Sequence, residues 1–309
     1  MAKSTMNSAN SAGRSLFFHP YVYLLLTYLA WAGHTTAGRM TVGEASPMAV
    51  TSLRWIVAFS LMAIFVRKEV AGVPALFRER PFYLVAMGVS GFTAFNALYY
   101  VAAQHTTAIN LGIMQASTPL VMIAGAILFQ GARTSPPLLL GLAAGTIGVL
   151  TVVSGGRLET LTNISFNRGD VLVLIASVIF AGYSLAIRNR PTHVSGITLF
   201  AAFAAVAAVT ALPLVAFEIA TGAFKAPTLK GWLLIAWIGI FPSLLAQIWY
   251  LKGVAAVGAT RAGYLYNLIP IFSALIAVVV LGETFGWHHA VGIALVIGGI
   301  ALAERYRTA

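Results

Sequence analysis

Residues 98–151 and 249–302 write the same hydrophobic hairpin twice, without a gap, at a fixed spacing of 151. Tyr99, Ala108, Gly112, Pro119, Ala126, Gly131, Gly141, Ala143 and Gly148 fall on Tyr250, Ala259, Gly263, Pro270, Ala277, Gly282, Gly292, Ala294 and Gly299. A self-match this long marks a duplicated unit. If each unit crosses a bilayer an odd number of times, the second copy enters upside down, and two such copies enclose a midplane site between them.

Ten apolar segments, each able to cross a hydrocarbon core of roughly 30 Å, run approximately 20–38, 46–66, 82–103, 107–130, 136–154, 170–187, 196–220, 231–252, 259–282 and 287–304. With 59% hydrophobic and 9% charged residues, against roughly 25% charged in soluble domains, the chain has little surface to offer water. The expected fold is an all-α integral membrane protein: ten transmembrane helices in two inverted five-helix repeats around a central cavity. Its divisions are a tail at 1–19, repeats at 20–154 and 170–304, a linker at 155–169 and a tail at 305–309. Segments 3 and 8 also match at 151 (Gly88 with Gly239), and segments 1 and 6 match at 149 (Ala32, Gly33, Ala37 and Arg39 with Ala181, Gly182, Ala186 and Arg188). Segment 2 pairs most weakly with segment 7, and Arg54-Trp55 finds no counterpart there.

The net charge of +11 is a topology signal. With both termini cytoplasmic, the inner loops hold Lys3, Arg14, Arg67, Lys68, Arg78, Arg80, Arg133, Arg188, Arg190, Lys252, Arg305 and Arg307, and the outer ones hold Arg39, Arg157, Arg168, Lys225 and Lys230, as the positive-inside rule requires. The expected partners are a small-molecule substrate and anionic lipid headgroups, not nucleic acid. The expected location is a bacterial inner membrane. The absence of cysteine removes disulfides, thiolate metal sites and thiol nucleophiles.

Ten segments in two halves, Arg54 early in segment 2, Pro119 and Pro270 in segments 4 and 9, and the tail Leu281-Gly282-Glu283 through Gly292 to Gly298-Gly299 resemble the drug/metabolite transporter superfamily, EamA type. The first half departs from the tail motif, with Ala132 where the second half has Glu283. The resemblance covers essentially the whole chain and implies a transporter with its cargo open.

Candidate site residues follow from helix faces. Phe92, Phe95, Asn96 and Tyr99 form an i, i+3, i+4, i+7 stripe on segment 3. Gln247 and Tyr250 hold the matching stripe on segment 8, Trp31 and His34 lie on segment 1, and Phe180 and Tyr183 on segment 6. Polar groups at membrane depth are costly, and repeat-related stripes are expected to line one cavity; plain hydrogen bonding between helices is the blander reading. Mid-helix Pro119 and Pro270 are expected to kink segments 4 and 9, freeing the carbonyls of Gln115 and Tyr266 and presenting Gln115, Tyr266 and Asn267 to substrate. Gly141 and Gly145 read as a packing face. Glu283 and the His288-His289 pair read as capping or solvation.

All eight acidic residues fall at loops or segment ends. Ion-coupled transporters commonly carry such groups at the midplane, so a facilitator or exchanger is expected, with His34 the candidate should protons be coupled. No nucleophile–base motif marks an enzyme, and no cofactor or metal is expected. Aromatic walls with neutral hydrogen-bonding groups suit a neutral or zwitterionic cargo; within the resembled family this is similar to the bacterial aromatic amino-acid exporters. The alternatives are export of drugs or phosphorylated metabolites, for which Lys252 and Arg261 are the only fixed cations, and a channel-like pore.

Overall fold

The computed structural model describes residues 19–105, 135–154, 156–157, 159, 168–258, 262, 265–266, 268–281 and 286–305. Segment 4, with Gln115 and Pro119, lies outside them, as do Arg261, Asn267 and Glu283. The helices are α1 (Pro20–Met40), α2 (Pro47–Phe65), α3 (Pro81–His105), α4 (Pro136–Val153), α5 (Arg168–Ala186), α6 (Gly196–Ala220), α7 (Leu229–Val257), α8 (Leu268–Leu281) and α9 (Trp287–Arg305). Among the described residues α2, α3, α6 and α7 are each long and apolar enough to cross a membrane alone.

Proline at the first helical position starts α1, α2 and α3, where its fixed φ fits the helix and its missing N–H costs nothing. Ser195 and Thr228 cap α6 and α7 by accepting from Thr198 N at 3.1 Å and Gly231 N at 3.0 Å. Ser46 makes no such side-chain cap for α2. Glu218, near the end of α6, reaches across instead and accepts from Met48 N at 3.1 Å. It sits at a segment end as expected, but buried, at 7% exposure.

The halves interdigitate. α1 packs on α7 and α8, α3 on α5, α2 on α6 and on the middle of α7, and α4 on α9. Each of these pairs joins the first half to the second. Gly141 and Gly145 form the α4 side of the α4–α9 contact: a Cβ at Gly299 would lie 2.6 Å from the Gly141 carbonyl oxygen, so this small-residue face is packing surface. Outward-facing apolar side chains such as Phe82, 90% exposed, and Val279, 82% exposed, form a surface that only lipid covers without penalty.

Two departures from the α-helix matter for the site. Val89–Ala94 in α3 and Gly239–Leu245 in α7 are π-helical, and they occupy matching positions at the spacing of 151. Pro242 lies inside the second; it cannot donate, and the wider turn accommodates the break.

The connector between α2 and α3 docks on the other half. Glu69 accepts from Ser195 Oγ at 2.5 Å and Thr198 Oγ1 at 2.6 Å. These bonds hold its carboxyl below the usual carboxylate range. A lowered folded-state pKa stabilises at pH above the unfolded value and loses that stabilisation as pH falls through the folded one. Glu69→Gln is expected to lower the melting temperature by about 2–4 °C at pH 7, from roughly 1 kcal/mol of net hydrogen bonding, and by less at pH 3. Thermal unfolding at both pH values checks this; an equal loss at each removes the carboxylate from the account.

Candidate functional site

Arg54 is the centre of the polar structure. It sits mid-way along an apolar α2 and is only 4% exposed. Its Nε donates to Ser243 Oγ at 2.9 Å, and its Nη1 lies 2.7 Å from Asn96 Oδ1 and 2.9 Å from both Tyr100 OH and His34 Nε2. Four helices thus converge on one guanidinium: α1 through His34, α2, α3 through Asn96 and Tyr100, and α7 through Ser243. All four partners are uncharged groups or can be, and no carboxylate pairs with Arg54 among the described residues. A guanidinium has only donors, so His34 Nε2, facing it, is the unprotonated ring nitrogen. Tyr100 OH, 2.7 Å away, can then donate to the same nitrogen.

Both π-helical turns serve this node. A π turn leaves a carbonyl without its usual partner, and in each turn an indole takes one: Trp55 Nε1 donates to Phe92 O at 3.0 Å, and Trp31 Nε1 donates to Pro242 O at 3.2 Å. Asn96 Nδ2 also donates to Phe92 O, at 2.7 Å, which aims its Oδ1 at Arg54. Ser243 donates to Ile238 O at 2.7 Å, leaving its oxygen's lone pairs for Arg54 Nε. The Arg54 guanidinium carbon stands 4.8 Å from the centre of the Trp55 ring, within cation–π range.

Aromatic residues border the node on α1. Trp31 contacts Tyr250 at 5.3 Å and Tyr266 at 6.2 Å between ring centres, while His34, one turn on, contacts Tyr99 at 6.1 Å. Phe95 contacts Phe180 at 4.9 Å. Trp31, Phe95, Phe180, Tyr183, Gln247, Tyr250 and Tyr266 are half-buried, whereas Phe92, Asn96, Tyr99 and Tyr100 are buried.

Two expectations need correction. The stripe Phe92–Phe95–Asn96–Tyr99 is divided, because the π turn through Ala94 rotates Phe92 away from the residues after it. Phe92 joins Trp55, Tyr183, Phe200 and Phe203 in an apolar core, Phe95 and Tyr99 stack on each other, and Asn96 and Tyr100 face Arg54. Pro270 is the third residue of α8, in the first turn, where N–H groups have no helical partner anyway. The Tyr266 carbonyl is not free, since Ile269 N donates to it at 3.0 Å.

Sequence reasoning set Arg54 aside and missed Tyr100 and Trp55; it placed Ser243 on the segment 8 stripe that matches Phe92 but not among the site residues. For Arg54 the signal was present: a charge in the middle of a long apolar segment is a functional hypothesis by default. Tyr100 stands one turn after Asn96. Nothing in the sequence marked Ser243 beyond its match to Phe92.

The structure also supplies the missing pairing of segments 2 and 7. A Cβ on Gly239 would meet Val57 Cγ1 at 2.7 Å and the Arg54 carbonyl oxygen at 3.2 Å; on Gly88 it would meet Val206 Cβ at 2.6 Å and the Phe203 carbonyl oxygen at 3.2 Å. Val57 and Val206 are 149 apart, and so are Arg54 and Phe203. The counterpart of Arg54 is therefore Phe203. Its ring touches Phe92 and Tyr183, the matches of Ser243 and His34. One node has been written twice, once in charged and polar residues and once in aromatic ones.

The chain is similar to the uncharacterized transporter YyaM of Bacillus subtilis, 24% identical over 93% of this chain and 94% of that protein. It is also similar to an uncharacterized transporter of Archaeoglobus fulgidus, at 27% over 91% and 96%. The pseudopaline exporter CntI of Pseudomonas aeruginosa is 28% identical over 70% of this chain and 72% of its own length. A crystal structure 20% identical in sequence shares the fold with a TM-score of 0.72, covering 94% of this chain and 97% of that one. Residues 19–154 and 167–304 each match the model of the EamA-like transporter family, so the chain belongs to that family and is an integral membrane transporter.

Proposed function

We propose that this transporter exports small zwitterionic metabolites, amino acids with aromatic bodies among them, by alternating access between two inverted five-helix repeats whose termini are cytoplasmic. The observation that carries this reading is Arg54, a buried cation surrounded by neutral hydrogen-bonding groups. A buried charge is costly unless paired, and a substrate carboxylate is the counter-ion that such a site favours. Trp31 and Arg54 bind successive residues of one π turn, Pro242 and Ser243, so the half-buried rings around Trp31 stand beside the guanidinium. Those rings offer a face to an apolar body and to an ammonium group.

Alternating access between repeats draws support from the two matches to the family model and from the exchange of partners across the halves, with α1 on α7 and α5 on α3. A single guanidinium suits a carboxylate better than a phosphate dianion. Among the described residues no carboxylate lies among the partners of Arg54, which favours a facilitator or exchanger over a cycle coupled through a carboxylate proton relay.

The test is uptake into liposomes carrying the purified protein, with aromatic and aliphatic amino acids, their decarboxylated amines, and phosphorylated solutes, with and without a pH gradient. Saturable uptake of amino acids, counterflow exchange and no gradient requirement are expected. Equal transport of the decarboxylated amines, or an absolute need for a gradient, overturns the reading; preference for phosphorylated solutes assigns Arg54 to a different anion.

A further inference from the structure

A second positively charged site lies away from Arg54, where the turn after α5 meets the start of α6 and the last turns of α7. A cavity of about 350 Å³ opens there, lined by Arg190 and Lys252, by the polar Thr192 and Ser195, and by apolar residues such as Ile197, Leu199, Leu251 and Ala255. Both cations are exposed and neither has a carboxylate partner among the described residues. Two acids of the connector dock on this turn with other partners: Glu69 accepts from Ser195, on the cavity wall, and from Thr198, and Glu79 pairs with His193 at 2.9 Å. Lys252 Nζ lies 5.7 Å from the centre of the Tyr23 ring, which steadies the ammonium without neutralising it.

We propose that this cavity holds the phosphate headgroup of an anionic phospholipid. The two cations supply the charge; Glu69 already occupies the N-terminus of α6, so the helix end is not what attracts the anion. Ile197, Leu199, Leu251 and Ala255 give the cavity an apolar side, which suits the glycerol and first methylenes of a lipid better than a free, fully hydrated phosphate. The connector bearing Arg67, Lys68, Arg78 and Arg80 docks on the same turn through Glu69 and Glu79, so this end of the bundle carries the charge that an anionic leaflet attracts.

The experiment is lipid competition read by native mass spectrometry of the purified full chain. Phosphatidylglycerol, phosphatidylcholine and inorganic phosphate are the probes, applied to the natural protein, to Arg190→Gln/Lys252→Gln, and to the charge-conserving Arg190→Lys/Lys252→Arg. The natural protein is expected to retain phosphatidylglycerol over phosphatidylcholine. Each lost cation should weaken retention about fivefold, roughly 25-fold for the glutamine pair, while the charge-conserving pair retains it and all three melt alike in phosphatidylcholine. Undiminished retention by the glutamine pair, or loss by the charge-conserving pair, overturns the proposal. Displacement of phosphatidylglycerol by an equal concentration of inorganic phosphate overturns it in favour of a soluble anion.

Discussion

Arg54→Met is expected to fold about as stably as the natural chain and to transport carboxylate-bearing substrates about thirtyfold or more slowly. The two halves of this expectation have separate causes. Replacing a buried charge by an apolar side chain of similar length removes a desolvation penalty of several kcal/mol, and such replacements are often neutral or stabilising. Against that stands the polar group left without a donor. Ser243 keeps its bond to the Ile238 carbonyl, and Tyr100 and His34 keep each other at 2.7 Å; Asn96 Oδ1 alone loses its partner, at about 1–3 kcal/mol. The balance lies near zero. Transport has no such compensation, because removing one member of a buried charge pair costs about 2–5 kcal/mol, roughly 30- to 4000-fold. Arg54→Lys should keep the charge but lose the planar fork that reaches Ser243, Asn96 and Tyr100 together, and should also transport poorly. The measurement is initial uptake rate and half-saturation in liposomes at matched protein, beside thermal unfolding in detergent. An Arg54→Met protein with unchanged half-saturation for amino acids would falsify the carboxylate site.

What the sequence made legible was periodic or repeated. The duplicated hairpin and apolar segments led to a helical membrane transporter of the right family, and α1 to α9 fall on the segments, while two short helices, Arg67–Val70 and Val73–Glu79, lie in the connector between segments 2 and 3. Arg54 was visible as a charge, but its partners come from segments 1, 3 and 8, and no spacing within one helix announces a contact among four. The π turns were invisible because a stripe drawn at 3.6 residues per turn assumes the turn never widens; Phe92 was misplaced for that reason. The match of segment 2 to segment 7 was hidden differently. The spacing falls from 151 to 149 across the loops, and at the position that matters the residue changed from arginine to phenylalanine. Only the shared close contacts at Gly88 and Gly239 recover it.

Those contacts set the last expectation. Gly239→Ala and Gly88→Ala should destabilise the protein to a similar degree, and only Gly239→Ala should carry a loss of transport beyond that. In each case the new Cβ meets a valine on the facing helix below 3.0 Å and a backbone carbonyl oxygen at 3.2 Å, and such overpacking typically costs 1–3 kcal/mol. Trimming the valine to alanine removes its Cγ1 but leaves its Cβ, 2.9 Å from the new atom at Val57 and 2.6 Å at Val206, so Val57→Ala should recover part of the stability of the first variant and Val206→Ala little of the second. The carbonyls differ in what they belong to. The one facing Gly239 is that of Arg54, and Ser243, which accepts from the same arginine, follows in the same π turn; separating α2 from α7 therefore spreads the polar node. The one facing Gly88 is that of Phe203, whose ring packs in apolar surroundings that tolerate a shift of a few tenths of an ångström more readily than hydrogen bonds do. Transport per folded molecule, with and without the valine trim, separates packing from chemistry. Equal losses in the two variants would mean that the aromatic twin of the node takes as direct a part in transport as Arg54.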